Sequence, residues 1–251
     1  MQSILLVAQD DSNNIELSGL PNDQSFKKFR FGLNFNPLMS WIKPENKYLK
    51  DTGNELGFTY GLMTDFSFSP NYSISTGVQI NNIGGNVSQP YVLTKNNSFY
   101  QATKETEYKF KRIEIPVTFK LRTNAIGWLV YYGKFGLSTN FRFQAKSDNI
   151  VTATVNGEQV VDTDNKVDEF KNTALVGLAM VIGGGVEYNI SGNTNLMVGL
   201  TFNNGFTNIF DYTMLELDKN GKVDISGNAI QSGEEAKGIM NYVSLDLGVI
   251  F

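Results

Sequence analysis

Strict alternation of apolar and polar residues recurs eight times along this 251-residue chain, in segments of roughly 10–17 residues. Side chains in an extended strand point to opposite faces in turn, so each such segment has one apolar and one polar face. The segments are Lys28–Pro37, Glu55–Ser69, Tyr72–Gly84, Tyr108–Arg122, Trp128–Phe143, Thr173–Asn189, Thr194–Phe206 and Met240–Phe251. The fourth is the clearest: Ile113, Ile115, Val117, Phe119 and Leu121 oppose Arg112, Glu114, Thr118, Lys120 and Arg122. The sixth, with TALVGLAMVIGGGV, has the apolar content of a helix, but Gly183–Gly185 would break one and the run is too short to span a membrane as one. We read it as a strand with Glu187 on the polar face.

Connections alternate as well. Ser69–Asn71, Thr123–Ile126 and Ile190–Asn193 are short and built from Pro, Gly, Asn and Ser. Residues 38–54, 85–107, 144–172 and 207–239 are long connections. Short turns at one end and long loops at the other describe an all-β, eight-stranded antiparallel up-and-down transmembrane barrel, with periplasmic turns and four long extracellular loops. An even strand number places both termini in the periplasm. A mean hydropathy of −0.20 with no apolar run of 18 residues argues against helical spans and suits strands whose two faces average out.

The direction of the apolar face separates this barrel from a soluble, lipocalin-like one, whose apolar face lines a cavity. Here the polar face carries Arg30, Asp65, Arg112, Glu114, Lys120, Arg122, Lys134, Arg142, Glu187 and Asp246. Six cations and four carboxylates in an apolar-ligand cavity would carry a heavy desolvation cost. In an aqueous or self-neutralising lumen most of them pair, so the apolar face meets lipid. Phe68, Tyr72, Tyr131, Phe143, Tyr188 and Phe206 lie near segment ends, where interfacial aromatic girdles form.

Composition removes several chemistries. No Cys means no disulfide, thiolate metal site or cysteine nucleophile, and no His means no Ser-His-Asp triad, HExxH site or imidazole base. The net charge of −4 gives no footprint for nucleic acid. We expect no catalytic, cofactor-binding or metal-ligating residues, although Asp65 and Glu114 are the carboxylate pair an acid–base site would need.

Residues 1–9 (MQSILLVAQ) read as the tail of a secretory signal peptide with cleavage near Ala8, although the first basic residue is Lys27; a short apolar cytosolic N-terminus is the alternative. Residues 10–26 read as a periplasmic lead-in, and 27–251 as the barrel. At the other end, Val243, Leu245, Leu247, Val249 and the terminal Phe251 alternate like the signal that outer-membrane barrels present to their assembly machinery. Pro116 falls mid-strand with inward parity, where its missing N–H calls for a bulge or a water-filled gap. Two hairpin signals, Asn156-Gly157 in VTATVNGEQVV (151–161) and Asn220-Gly221 in LELDKNGKVDI (215–225), predict a raised β-rim beyond the membrane. DKNGKVD (218–224) is no EF-hand, since its glycine falls at the fourth position and no Glu closes it.

FRFGLNFNP (29–37), LGFTYGLMTDFSFSPNYSISTGVQI (56–80), YKFKRIEIPVTFKLRTNAIGWLVYYGKFGL (108–137) and the closing strand together resemble the PorT-like outer-membrane barrels of the Bacteroidetes, also called porin family. The resemblance implies an eight-stranded barrel, a didermal bacterial outer membrane and, for the named member, a role in type IX protein secretion. It supplies no catalytic residues. The expected activity is that of a non-enzymatic accessory subunit of an envelope complex, in secretion or outer-membrane assembly. Alternatives are a surface-binding or adhesion barrel using the raised hairpins, and a narrow ion channel. Expected partners are outer-membrane lipid and lipopolysaccharide, the barrel-assembly machinery and other envelope proteins.

Overall fold

The computed structural model describes residues 27–95, 98–218, 220, 222–223 and 232–251. The signal-peptide and lead-in segments expected over 1–26 lie outside the described residues.

Twelve strands occur among the described residues: β1 (Phe29–Pro44), β2 (Lys50–Gly53), β3 (Glu55–Ser69), β4 (Tyr72–Lys95), β5 (Ser98–Arg122), β6 (Leu129–Val155), β7 (Glu158–Asp168), β8 (Val176–Ser191), β9 (Thr194–Gly205), β10 (Thr213–Leu215), β11 (Ser232–Glu235) and β12 (Gly238–Ile250). Eight of them, β1, β3, β4, β5, β6, β8, β9 and β12, pair antiparallel in chain order, and β12 pairs back onto β1. The seam runs from Gly32–Ile250 to Pro44–Gly238, and Phe251 and Phe31 exchange both backbone hydrogen bonds at its foot (2.8 and 3.0 Å). A ring closed this way leaves no strand edge, which lipid requires because it offers backbone groups no alternative partner.

Parity follows the alternation. Phe29, Phe31, Leu33 and Phe35 of β1 are exposed while Arg30, Asn34 and Asn36, which alternate with them, are buried. Along β5 the exposed row is Ile113, Ile115, Val117 and Leu121, with Phe119 half-buried, all within nine residues; a transmembrane strand needs about 9–11. In β8, Val176, Leu178, Met180, Ile182 and Tyr188 point out and Glu187 in, so the segment is a strand and not a helix. Its glycines accommodate a neighbour. Gly185 faces Gly199 of β9, and the Tyr132 hydroxyl from β6 lies where either would carry a methyl group.

The strands exceed their expected lengths on one side only. Residues 85–107, read as a loop, are chiefly the continuing β4–β5 hairpin, and β6 runs on to Val155. From Lys111 up to Ser98, β5 adds about 45 Å of strand at roughly 3.3 Å per residue. Together with β2 and β7 these extensions make a wall above the apolar band. The β6–β7 turn is built on Asn156 (φ 53°) and Gly157 (φ 88°), the left-handed pair a type I′ hairpin demands. At the second hairpin signal, Asp218 Oδ1 accepts the N–H groups of Asn220 (2.8 Å) and Lys222 (2.9 Å), and Leu217 bridges Val223; Gly221 lies outside the described residues. Just before it, β10 pairs with β11, Leu215 facing Ser232.

Of the two outcomes expected at Pro116, a gap forms and a bulge does not. Pairing of β5 with β4 lapses between Thr76–Val117 and Gln79–Glu114 and resumes in the same register, so no bulge forms there. The bulge sits instead where Lys111 faces Gln144 and Arg112 faces Arg142, leaving Phe143 extra. It reverses the parity of β6, so that Arg142 and Ala145, three residues apart, both point inward.

The apolar band yields a direct test. Leu137, midway along the outward row of β6, should cost about 2–4 kcal/mol when replaced by Arg if that row lies in hydrocarbon. Urea unfolding in lipid vesicles measures it; a loss below ~0.5 kcal/mol would place the row in water.

Candidate functional site

Every one of the ten charged residues placed on the polar face points into the barrel, and they divide into three levels. Nearest the short turns, Arg30 of β1 faces Asp65 of β3 in register and bonds it (2.6 Å), while its other amino group reaches Glu187 of β8 across the barrel (2.8 Å). Lys120 of β5 bridges the same two carboxylates, at 3.0 Å to Asp65 and 2.7 Å to Glu187, and lies over the Tyr132 ring. Arg122 adds a third cation to Glu187 (2.9 Å). Four strands are thereby tied through groups almost fully withdrawn from solvent: Asp65 0%, Glu187 1% and Lys120 2% exposed.

One level up, Lys134 of β6 is the direct cross-strand neighbour of Lys120, a like-charge pair that is unfavourable by itself. The two lysines diverge. Lys134 turns to Asp246 of β12 (2.7 Å), whose carboxylate also accepts Thr201 (2.5 Å) and Ser244 (2.9 Å).

Glu114 forms the third level and has no ion-pair partner among the described residues. Its carboxylate accepts the Tyr242 hydroxyl (3.0 Å to each oxygen), the Asn203 amide (3.2 Å) and the Asn81 amide. Arg112 donates to Asn140 (3.3 Å) and stacks over Phe110; Arg142 donates to the carbonyls of Ala174 (3.0 Å), Phe170 (2.9 Å) and Thr173 (2.8 Å). The expectation that most charges pair therefore holds for Arg30, Asp65, Lys120, Arg122, Lys134, Glu187 and Asp246, but not for Arg112, Glu114 or Arg142. Arg142 instead ties down the segment that enters β8. Asp65 and Glu114, the pair weighed as an acid–base site, belong to different clusters.

Space in the interior is slight. A cavity of about 60 Å³ lies on one side of Glu114 and Tyr242, lined also by Pro116, Thr76 and Gln79, and one of about 10 Å³ lies on the other. These hold a few waters at most. Above them the interior becomes apolar: Leu38, Ile42, Ile83, Val87, Tyr108, Phe110 and Ala145 from the strands pack with Ile209, Phe210, Met214 and Ala236 from the last connection. Gln101 clasps that connection, donating to the Val223 carbonyl (2.6 Å) and accepting its N–H (3.2 Å). Sequence reasoning missed this stopper. Phe110 and Tyr108 continue the inward parity of β5, the one signal that could have found it.

The C-terminal residues Val243, Leu245, Leu247, Val249 and Phe251 form the outward row of β12 and its end. On the outer face of the wall, Lys109 bonds Glu107 (2.5 Å) and Asp148 (2.9 Å), and the Lys166 N–H donates to Asp148 Oδ1 (2.7 Å).

Two predictions follow from these contacts. Glu187→Gln removes the acid shared by three cations, and breaking a buried pair from one side costs about 3–5 kcal/mol, read as a drop in unfolding free energy in vesicles. An unchanged unfolding curve would deny the cluster its structural weight. The Lys109 ammonium, hydrogen-bonded to Asp148, holds that carboxyl below its ordinary value of 3.8, and the Lys166 amide acts in the same direction. A lowered folded value means that the contribution is complete above the unfolded value and is lost as pH falls through the folded one. The Lys166 amide resonance should titrate with a midpoint below 3.8; a midpoint at or above it would contradict the bonding described.

Among curated proteins none matches this chain. Solved structures of similar shape include Neisserial surface protein A (11% identity, TM-score 0.44, 89% of this chain and 96% of that one), the attachment invasion locus protein Ail of Yersinia pestis (10%, 0.37, 90% and 100%) and OprG of Pseudomonas aeruginosa (10%, 0.40, 89% and 95%). The outer membrane protein beta-barrel domain matches residues 7–211, most of the chain. With a closed eight-strand ring and an outward apolar band, this is a barrel of the outer membrane, and the chain belongs to the outer membrane protein beta-barrel domain family.

Proposed function

We propose that this barrel is a non-enzymatic accessory subunit of a cell-envelope protein complex, of the secretion or outer-membrane assembly type, and that its raised wall is the contact surface. The observation that carries this reading is the wall itself: β4, β5 and β6 are 24, 25 and 27 residues long where about 9–11 suffice to span. Strand beyond that length contributes nothing to membrane insertion and presents an ordered surface above it. The resemblance to PorT-like barrels of the Bacteroidetes supports type IX secretion as the process. In this reading the wall is extracellular, the short turns and both termini are periplasmic, and the Val243–Phe251 row serves the assembly machinery.

The interior supports a scaffold over a channel. Charge clusters at one end and an apolar stopper at the other leave cavities of only about 60 and 10 Å³ among the described residues. A second reading, a surface-binding barrel, draws on the same wall, and the two differ in whether the partner is a membrane protein of the same cell.

The test is affinity purification from native membranes in mild detergent, using the natural chain and a variant with residues 90–103 and 151–162 each replaced by Asn-Gly. Both cuts join direct cross-strand neighbours, Gln89–Lys104 and Ile150–Thr163, so the barrel register is kept. The natural chain should retain a stoichiometric envelope protein and the variant should lose it. A lone monomer in several detergents overturns the accessory role, and a conducting planar bilayer would restore the channel.

A further inference from the structure

The outer face of the barrel carries a groove of about 370 Å³ where the apolar band gives way to the wall. Its construction is legible in the register. The top outward row of the band includes Tyr60, Ile80, Ile113 and Phe141, neighbours on β3, β4, β5 and β6. The next outward row on these strands is Phe58, Asn82, Lys111 and Gln144. Above it, Gly84, Lys109 and Lys146 stand side by side, with Leu56 flanking. The floor of the groove is therefore the small residues of β4. One wall is apolar, with Leu56 86% exposed and Glu55 beside it bonded to the Asn86 amide; the other carries Lys109, Lys111, Lys146 and Lys166 with the single carboxylate of Asp148.

The cationic wall is incompletely neutralised. Lys109 and Lys146 are direct cross-strand neighbours, a like-charge arrangement that costs stability unless an anion lies between them. Glu107 and Asp148 satisfy Lys109. Lys111 and Lys146 have no ion-pair partner among the described residues, and Asp168 opposite Lys146 spends Oδ1 on the Phe170 N–H (2.9 Å).

We propose that this groove binds one phosphate-bearing membrane lipid, its headgroup between Lys111 and Lys146 and an acyl chain running from there over Asn82, past Phe58 and down onto the apolar band. Charge complementarity selects the headgroup. Continuity selects a lipid over a soluble phosphate, because the groove opens directly onto the band that hydrocarbon covers. Lysines one and two rows above the apolar band, Lys111 and Lys146, stand at headgroup depth, where each contributes to holding anionic lipid.

Native mass spectrometry of the folded barrel in zwitterionic detergent, titrated with phosphatidic acid, reads the site directly. One lipid should bind ahead of all others. Lys111→Gln with Lys146→Gln should weaken it about tenfold or more, from roughly 1 kcal/mol per lysine at an anionic surface. Asn82→Trp, which fills the trough and keeps the charges, should weaken it as well. Lys43→Gln removes a lysine on the outward face of β1 away from the groove, and should leave binding unchanged. Millimolar inorganic phosphate should not displace the lipid. Equal binding by the natural chain and both groove variants, an equal loss with Lys43→Gln, or displacement by inorganic phosphate would each overturn the assignment. Circular dichroism confirms that each variant carries the barrel before it is scored.

Discussion

Closure of the hydrogen-bonded ring is the constraint from which the rest of this molecule descends. A strand edge in hydrocarbon would leave N–H and C=O groups with no partner, at several kcal/mol apiece. The β1–β12 seam removes both edges together, joining the first and last strands of the ring over most of their length. With eight strands, the resulting tube is just wide enough to be filled by side chains. Everything inside must therefore pack or pair, and the interior is organised by which of these each level achieves.

The solution changes along the axis. Where the outside is lipid, the inside is polar, and charges are matched across strands: Arg30 with Asp65 and Glu187, Lys134 with Asp246. Where the outside is water, the arrangement inverts. Above the bulge, β5 and β6 turn charged residues outward and bury Tyr108, Phe110 and Ala145 against Phe210 and Met214. The same strands thus pass from an inside-out pattern to that of a soluble β-protein. The extra residue at Phe143 changes β6 parity at this boundary.

Legibility in the sequence followed that boundary. Eight segments with an apolar face could be read because hydrocarbon demands apolar side chains at every second position, leaving a period of two that nothing obscures. The inward direction of the ten charged residues came from the same alternation. The extensions could not be read this way. Asn86, Ser88, Lys104 and Glu105 sit in water on one side and beside a loop on the other, so neither face needs uniform polarity. The stopper was hidden for a different reason: Ile209, Phe210 and Ala236 belong to a connection without periodicity, and their burial depends on partners more than a hundred residues distant. Pairing within the charged set was likewise unreadable, since parity states which way Arg112 and Glu114 point but not which groups they meet.

The charge clusters also solve a problem of identity that the lipid-facing surface cannot. Sliding one strand past its neighbour by two residues keeps every apolar side chain in lipid and every polar one inside. To the hydrocarbon, such isomers are equivalent. To the interior they are not: a two-residue slip of β5 against β4 and β6 would carry Lys120 about 7 Å away from Asp65 and Glu187. The buried ions therefore work as the teeth of a key. Of the many tubes this sequence could close, they single out one stagger.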